Sequence, residues 1–158
     1  MNASNKIYWD SCVLIEWLQN TQEKRHKLTQ AVMDELDRED SSYSLVLSML
    51  IYVEVIGDSK EMSSESMDEL ELFIHNPRVR LVVVDDEIAK KAGELRMSLK
   101  PKKLTAPDAI HLATAIIRGV DTLHTFDNDL LRLNGNPIAE GVKISECKLP
   151  GGQLTLPA

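Results

Sequence analysis

The chain has 158 residues, a length that suits one compact domain with a sizeable core and no second module. At 43% hydrophobic and 27% charged it is not a disordered chain, and no apolar stretch approaches the roughly 20 residues that span a bilayer, so a cytoplasmic, non-membrane protein is expected. The net charge of −7 excludes a broadly basic nucleic-acid-binding surface, and two cysteines without paired spacing, Cys12 and Cys147, exclude a disulfide framework or a zinc cluster.

Ile7-Tyr8-Trp9 is a short apolar run ending at Asp10, after which Val13, Leu14, Trp17 and Leu18 fall on one helical face. The pattern predicts strand, then helix. A second amphipathic helix covers about Glu23–Glu39, with Leu28, Ala31, Val32 and Leu36 on its inner face. Tyr43–Leu47 reads as a strand. Ser48 is positioned to cap the next helix, which carries Met49, Leu50, Ile51, Val53 and Ile56 and is expected to end at Gly57.

Ser63–Asn76 is a further amphipathic helix that stops before Pro77. Val79–Val84 is rich in Val and Leu, which predicts a central parallel strand covered on both faces. Asp85 or Asp86 caps a helix striped by Ile88, Ala89, Ala92, Leu95 and Leu99, and a Lys-Pro-Lys-Lys loop follows. Pro107 opens a helix that runs to about Arg118 and closes at Gly119. Thr122–Thr125 is a short strand, Asp127–Leu133 a short helix and Val142–Ser145 a last strand. Strands alternating with helices define the class as α/β: three layers, α/β/α, around a mostly parallel sheet of about five strands.

In such sheets the C-terminal ends of the strands and the N-termini of the helices gather along one edge, where ligands bind. Asp10 follows the first strand, Asp127 follows the fourth, and Asp108 lies in the first turn of the Pro107 helix. Each also has a plain reading as a helix cap or as a charge favoured by a helix dipole. Glu54 is expected about two turns into its helix and interrupts the apolar run from Leu50 to Ile56. A buried, unpaired carboxylate there would cost several kcal/mol, so it needs a cation or a proton. No lysine or arginine stands beside it on the helix, and a divalent ion is the economical partner.

Asp10-Ser11-Cys12-Val13-Leu14-Ile15, Ser48 followed six residues later by Glu54, the run from Asp108 to Ala115, and Thr125-Phe126-Asp127-Asn128-Asp129 occur in that order. Together they resemble the successive motifs of the PIN-domain family, and in particular VapC-like toxin ribonucleases, over about Ile7 to Leu131. The resemblance implies a PIN-like nuclease domain at residues 1–145, with residues 146–158 as a C-terminal tail. It also implies an endoribonuclease that hydrolyses RNA phosphodiester bonds with Mg²⁺ or Mn²⁺. Asp10, Glu54, Asp108 and Asp127 match the family's acidic positions as catalytic and metal-ligating residues, with Asp10 and Asp127 as direct ligands. Asp129, Ser11 and Thr125 would support them. By kinship the partners are an RNA substrate, a cognate antitoxin protein and a second copy of the chain. The alternative is a PIN-like module that binds RNA or protein without cutting.

Three other features bear on chemistry. Lys102 and Lys103, with Lys100, precede Asp108 closely enough to meet phosphates, although a solvated charged loop is the favoured reading. His111 shares a helical face with Asp108, but a single i, i+3 pair is common by chance and histidine often caps or packs. Cys12 has no base near it in sequence and reads as a buried thiol rather than a nucleophile. A receiver-like phosphoacceptor is disfavoured because paired acids are missing after the first strand, and a dehalogenase-type phosphatase because Asp10-Ser11-Cys12 lacks a second acid.

Overall fold

Alternating side chains divide the strands between two cores. The computed structural model describes residues 5–58, 62–99 and 104–149. Five parallel strands form one sheet: β1 (Asn5–Trp9), β2 (Tyr43–Ser48), β3 (Val79–Val82), β4 (Thr122–His124) and β5 (Lys143–Ser145), in the spatial order β3-β2-β1-β4-β5. Ile7, Trp9, Leu45 and Leu47 point to one face, where they pack with α1 (Ser11–Gln19), α2 (Glu23–Asp37), α3 (Ile51–Asp58) and α4 (Ser64–Ile74). Tyr8, Val46, Val82, Leu123 and Ile144 point to the other, against α5 (Asp86–Ser98), α6 (Ala106–Ile117) and α7 (Asn128–Leu131). This is the expected three-layer class, with every strand pair parallel.

Register places the site. Tyr8 lies opposite Val46 on one side and Leu123 on the other, so β1 is the central strand and its end is flanked by the ends of β2 and β4. Asp10 continues β1 by donating its backbone N–H to the His124 carbonyl at 3.1 Å. The chain then turns directly into α1, and Asp10 is its N-cap.

Three expectations are corrected. The Val-rich third strand ends at Val82 and lies at an edge rather than in the centre; Arg80 is exposed and Val83 is 57% exposed. Its composition suits a strand packed on both faces, but among the described residues it has a neighbour strand on one side only. Ser48 belongs to β2, and its hydroxyl accepts from Leu50 N at 3.1 Å across a turn, so α3 starts later, at Ile51, and continues through Gly57. In consequence Glu54 is in the first turn of α3, not two turns in. The short 3₁₀ turn Pro137–Ala139 was not expected. Gly119 closes α6 with φ of 61°, a left-handed conformation that a side chain would strain. Lys100, Lys102 and Lys103 lie outside the described residues.

Candidate active site

Asp10 is 3% exposed and both of its carboxylate oxygens are engaged. Oδ1 accepts from the Ser11 backbone N–H at 2.7 Å and from the Ser11 hydroxyl at 3.3 Å. Oδ2 accepts from Thr125 Oγ1 at 2.8 Å and from the Cys12 thiol at 3.3 Å. A charged acceptor with several donors is held in one orientation, and each such bond is stronger than a neutral one. Thr125 lies one residue past β4, so the strand order that sets β4 beside β1 delivers its hydroxyl.

Glu54 reaches the same place from α3. Its Oε2 accepts from Ser11 Oγ at 2.9 Å, and its Oε1 lies 2.5 Å from His111 Nε2. The same nitrogen is 3.4 Å from Asp10 Oδ1. The Glu54 side chain is 15% exposed, so it lies at the mouth rather than in the interior. His111, in α6, is wholly buried and its Nδ1 shares a 2.6 Å hydrogen bond with the Tyr8 hydroxyl. Glu54, for which the sequence reading favours a divalent ion as partner, thus has a histidine 57 residues away.

Asp108 and Asp127 complete the edge. Thr105 caps α6 and accepts from Asp108 N at 3.3 Å, which puts Asp108 in its first turn. Asp127 caps α7 by accepting from Asp129 N at 2.7 Å, while its own N–H donates to Thr125 Oγ1 at 3.0 Å. Thr125 thus ties Asp127 to Asp10 through one hydroxyl. Burial pushes the Asp108 carboxyl up to about 6; the charges of Asp10 and Asp127 add to this, while a hydrogen bond with Thr105 and the charge of His111 oppose it.

The neighbours respond to the same field. Burial draws the His111 imidazole toward neutrality, but the hydrogen bond to Glu54 and the charges of Asp10, Glu54 and Asp108 together outweigh it, so its pKa lies above the ordinary value. Burial and the charge of Asp10 hold the Cys12 thiol protonated, as expected of a structural cysteine. Arg25 of α2 stacks its guanidinium 4.7 Å from the centre of the Phe126 ring, beside Asp127. Arg25 was not singled out from sequence, and only its spatial relation to Phe126 reveals it.

The structure therefore brings Asp10, Ser11, Glu54 and Thr125 into direct contact and sets Asp108 and Asp127 within electrostatic reach. Asp129 flanks Asp127 through its backbone. Among the described residues, no group of three His, Cys, Asp or Glu side chains has an arrangement that holds a metal ion. The oxygens of Asp10 and Glu54 are taken by hydrogen bonds instead. The donor set nonetheless suits a hard divalent cation: it is all carboxylate, and to the burial that chiefly raises Asp108 the charges of Asp10 and Asp127 add a repulsion that a cation would relieve.

Basic residues gather elsewhere. A cavity of about 370 Å³ at the starts of β1, β2 and β3 is lined by Lys6, Arg78, Arg80 and Arg118, at the opposite end of the strands from the acids. Among the described residues, no helix is long and apolar enough to cross a membrane.

Residues 7–136 match the family model described as PIN domain. Comparison with curated protein sequences gives no match. Among solved structures, the chain is similar to VapBC2 from Rickettsia felis, bound to a DNA fragment from its promoter, with a TM-score of 0.63 at 15% identity over 89% of this chain and 98% of that one. It is similar to VapC20 of Mycobacterium tuberculosis, described as a Sarcin-Ricin loop cleaving toxin, with a TM-score of 0.62 at 14% identity over 78% of this chain and 91% of that one. FitAcB of Neisseria gonorrhoeae gives 0.59 at 21% identity, over 89% and 96%.

Proposed function

The chain belongs to the PIN-domain family and has the fold of VapC-type toxins, and from this premise we propose that it is a metal-dependent endoribonuclease acting as the toxin of a type II toxin–antitoxin pair. The observation that carries the reading is the meeting of Asp10, Glu54, Ser11 and Thr125 at the end of the central strand, with Asp108 and Asp127 adjoining. Four carboxylates from four elements are expensive to hold together unless their charge has a use.

Asp10, Asp108 and Asp127 would hold Mg²⁺ or Mn²⁺, with Glu54 completing the set. When bound, such an ion polarises a phosphoryl oxygen and makes water more acidic, which is what phosphodiester hydrolysis requires. The chain's own contribution is placement. Thr125 and Ser11 fix the two oxygens of Asp10, Ser11 and His111 fix those of Glu54, and Asp127 is fixed by capping α7. Without a cation the acids repel RNA phosphates, so substrate approach and chemistry have the same requirement. Arg25, stacked on the Phe126 ring next in sequence to Asp127, would offer local positive charge to RNA, as would Lys102 and Lys103.

The proposed partners are RNA, an antitoxin protein and a second copy of the chain, in the cytoplasm. Val53 and Ile56, 70% and 46% exposed on the helix that carries Glu54, provide apolar surface of the kind partners cover. The R. felis and Salmonella typhimurium neighbours are VapBC structures, and a Klebsiella pneumoniae neighbour is a toxin-antitoxin complex.

The test is cleavage of a panel of structured and single-stranded RNAs with Mg²⁺, with Mn²⁺ and with chelator, by the native chain and by Asp10→Asn. The proposal requires metal-dependent cleavage that the substitution abolishes. RNA binding indifferent to both metal and substitution, with no cleavage, would instead establish a non-cutting module.

A further inference from the structure

Both ring nitrogens of His111 are occupied, and neither is directed to solvent. Nε2 faces two carboxylate oxygens, Glu54 Oε1 at 2.5 Å and Asp10 Oδ1 at 3.4 Å, so it must carry hydrogen. Nδ1 is taken by the Tyr8 hydroxyl at 2.6 Å. The two rings also meet edge to face, with centroids 5.7 Å apart and planes at 64°. Both residues are 0% exposed. With both nitrogens engaged, His111 has no lone pair to offer an ion.

Glu54 differs from the other three acids. Asp10 and Asp127 are N-caps, and Asp108 shares a hydrogen bond with Thr105, the cap of its own helix, so each has a side-chain partner close by in sequence, which Glu54 in the first turn of α3 lacks. Glu54 reaches the site on a longer side chain with more rotamers, from a helix whose turns do not fix its carboxylate. Its restraints come from two other elements: Ser11 at the start of α1 and His111 in α6. Tyr8, on the central strand, in turn fixes the orientation of the His111 ring.

We propose that Tyr8 and His111 are a positioning pair that holds Glu54 beside Asp10 and so sets the carboxylate spacing at which the site takes up a divalent ion. This rests on the metal-dependent reading above and assigns to two residues outside the acidic set the task of preparing it. Partners that orient ligand side chains typically contribute 10- to 100-fold to metal affinity, and the pair is placed to contribute on that scale.

The experiment is Mn²⁺ binding, followed by electron paramagnetic resonance and calorimetry, on the full chain without RNA. It compares the native protein with Asp10→Asn, His111→Leu, His111→Gln and Tyr8→Phe, the fold of each checked by circular dichroism and metal-free thermal melting. His111→Leu is expected to weaken binding by about 10- to 100-fold. His111→Gln, which keeps an N–H for Glu54, should recover most of that loss, and Tyr8→Phe should weaken binding measurably but less than His111→Leu. Native affinity in His111→Leu, or no recovery in a folded His111→Gln, overturns the pair. If His111→Leu does not fold, Tyr8→Phe decides, and native affinity there overturns it. A native chain that takes up no Mn²⁺, or one whose uptake ignores Asp10→Asn, overturns the metal reading and the pair with it; binding that needs Asp10 but ignores His111 and Tyr8 overturns the pair alone.

Discussion

Thr125 Oγ1 donates to Asp10 Oδ2 at 2.8 Å, closing a contact between residues 115 positions apart, and the same oxygen accepts from Asp127 N at 3.0 Å. One hydroxyl thus orients the acid after β1 and anchors the acid after β4.

Thr125→Val keeps the shape and removes that hydroxyl. It leaves Asp10 Oδ2 with the weaker thiol donor and Asp127 N without its acceptor. A hydrogen bond to a charged group contributes about 1.5–3 kcal/mol, and a loss of that size is expected in urea melts. Thr125→Ser, which retains the hydroxyl, should recover most of it. A Val variant as stable as the native chain would contradict this account.

Glu16 is buried, and its carboxylate accepts from Thr21 Oγ1 at 2.5 Å and from Gln22 N at 2.6 Å. Gln22 is the N-cap residue of α2 and makes no side-chain cap of its own. Glu16 therefore joins the end of α1 to the start of α2. Glu16→Ala is expected to cost about 1.5–3 kcal/mol, since it removes the hydrogen bonds to a charged acceptor that join the two helices. Equilibrium denaturation checks the value, and a cost below about 0.5 kcal/mol, typical of surface changes, would refute the role.

His124 sets an acid limit on stability. Burial, with the charge of Lys148 adding to it and a hydrogen bond with the Lys148 backbone opposing it, lowers its pKa from 6.5 to about 4. The unfolded chain binds this proton more readily than the folded one. The contribution is therefore complete above pH 6.5 and is lost as pH falls from there toward 4. Over that window the native chain should lose on the order of 3 kcal/mol to this group. In His124→Asn, whose amide oxygen can accept from Trp9 Nε1 as the imidazole does at 3.2 Å, the acid limb should flatten. Parallel pH profiles for the two proteins would show that another group controls it.

Asp108 gives a prediction of opposite sign. Burial and the charges of Asp10 and Asp127 disfavour its ionised form, so Asp108→Asn should raise the melting temperature of the metal-free chain at neutral pH. An ion that binds only the folded state at 100 times its dissociation constant adds about 2.7 kcal/mol. The native chain should therefore gain stability with Mn²⁺ and the variant should gain much less. An equal gain in both would remove Asp108 from the ligand set.

The fold was legible where local chemistry decides it. Asp10 and Asp127 end strands and cap helices, and sequence spacing shows this because a cap acts over three residues. The helix-cap and acidic-site readings were not rivals, since capping is what aims both carboxylates at the edge. Glu54 was legible as an anomaly but its partner was not, because His111 is far along the chain and only the crossover onto α6 brings them together. The edge placement of β3 escaped for a related reason: Val and Leu content reports a strand, while its neighbours are set by the order of the whole sheet.

The central position of β1 has a consequence for synthesis. β2 follows β1 closely along the chain, whereas the other side of β1 and the Asp10 carboxylate wait for β4 and for Thr125, 115 positions away. Asp108 and Asp127 also arrive late. A nascent copy therefore has no assembled acidic edge until the residues out to Asp127 have been made and folded.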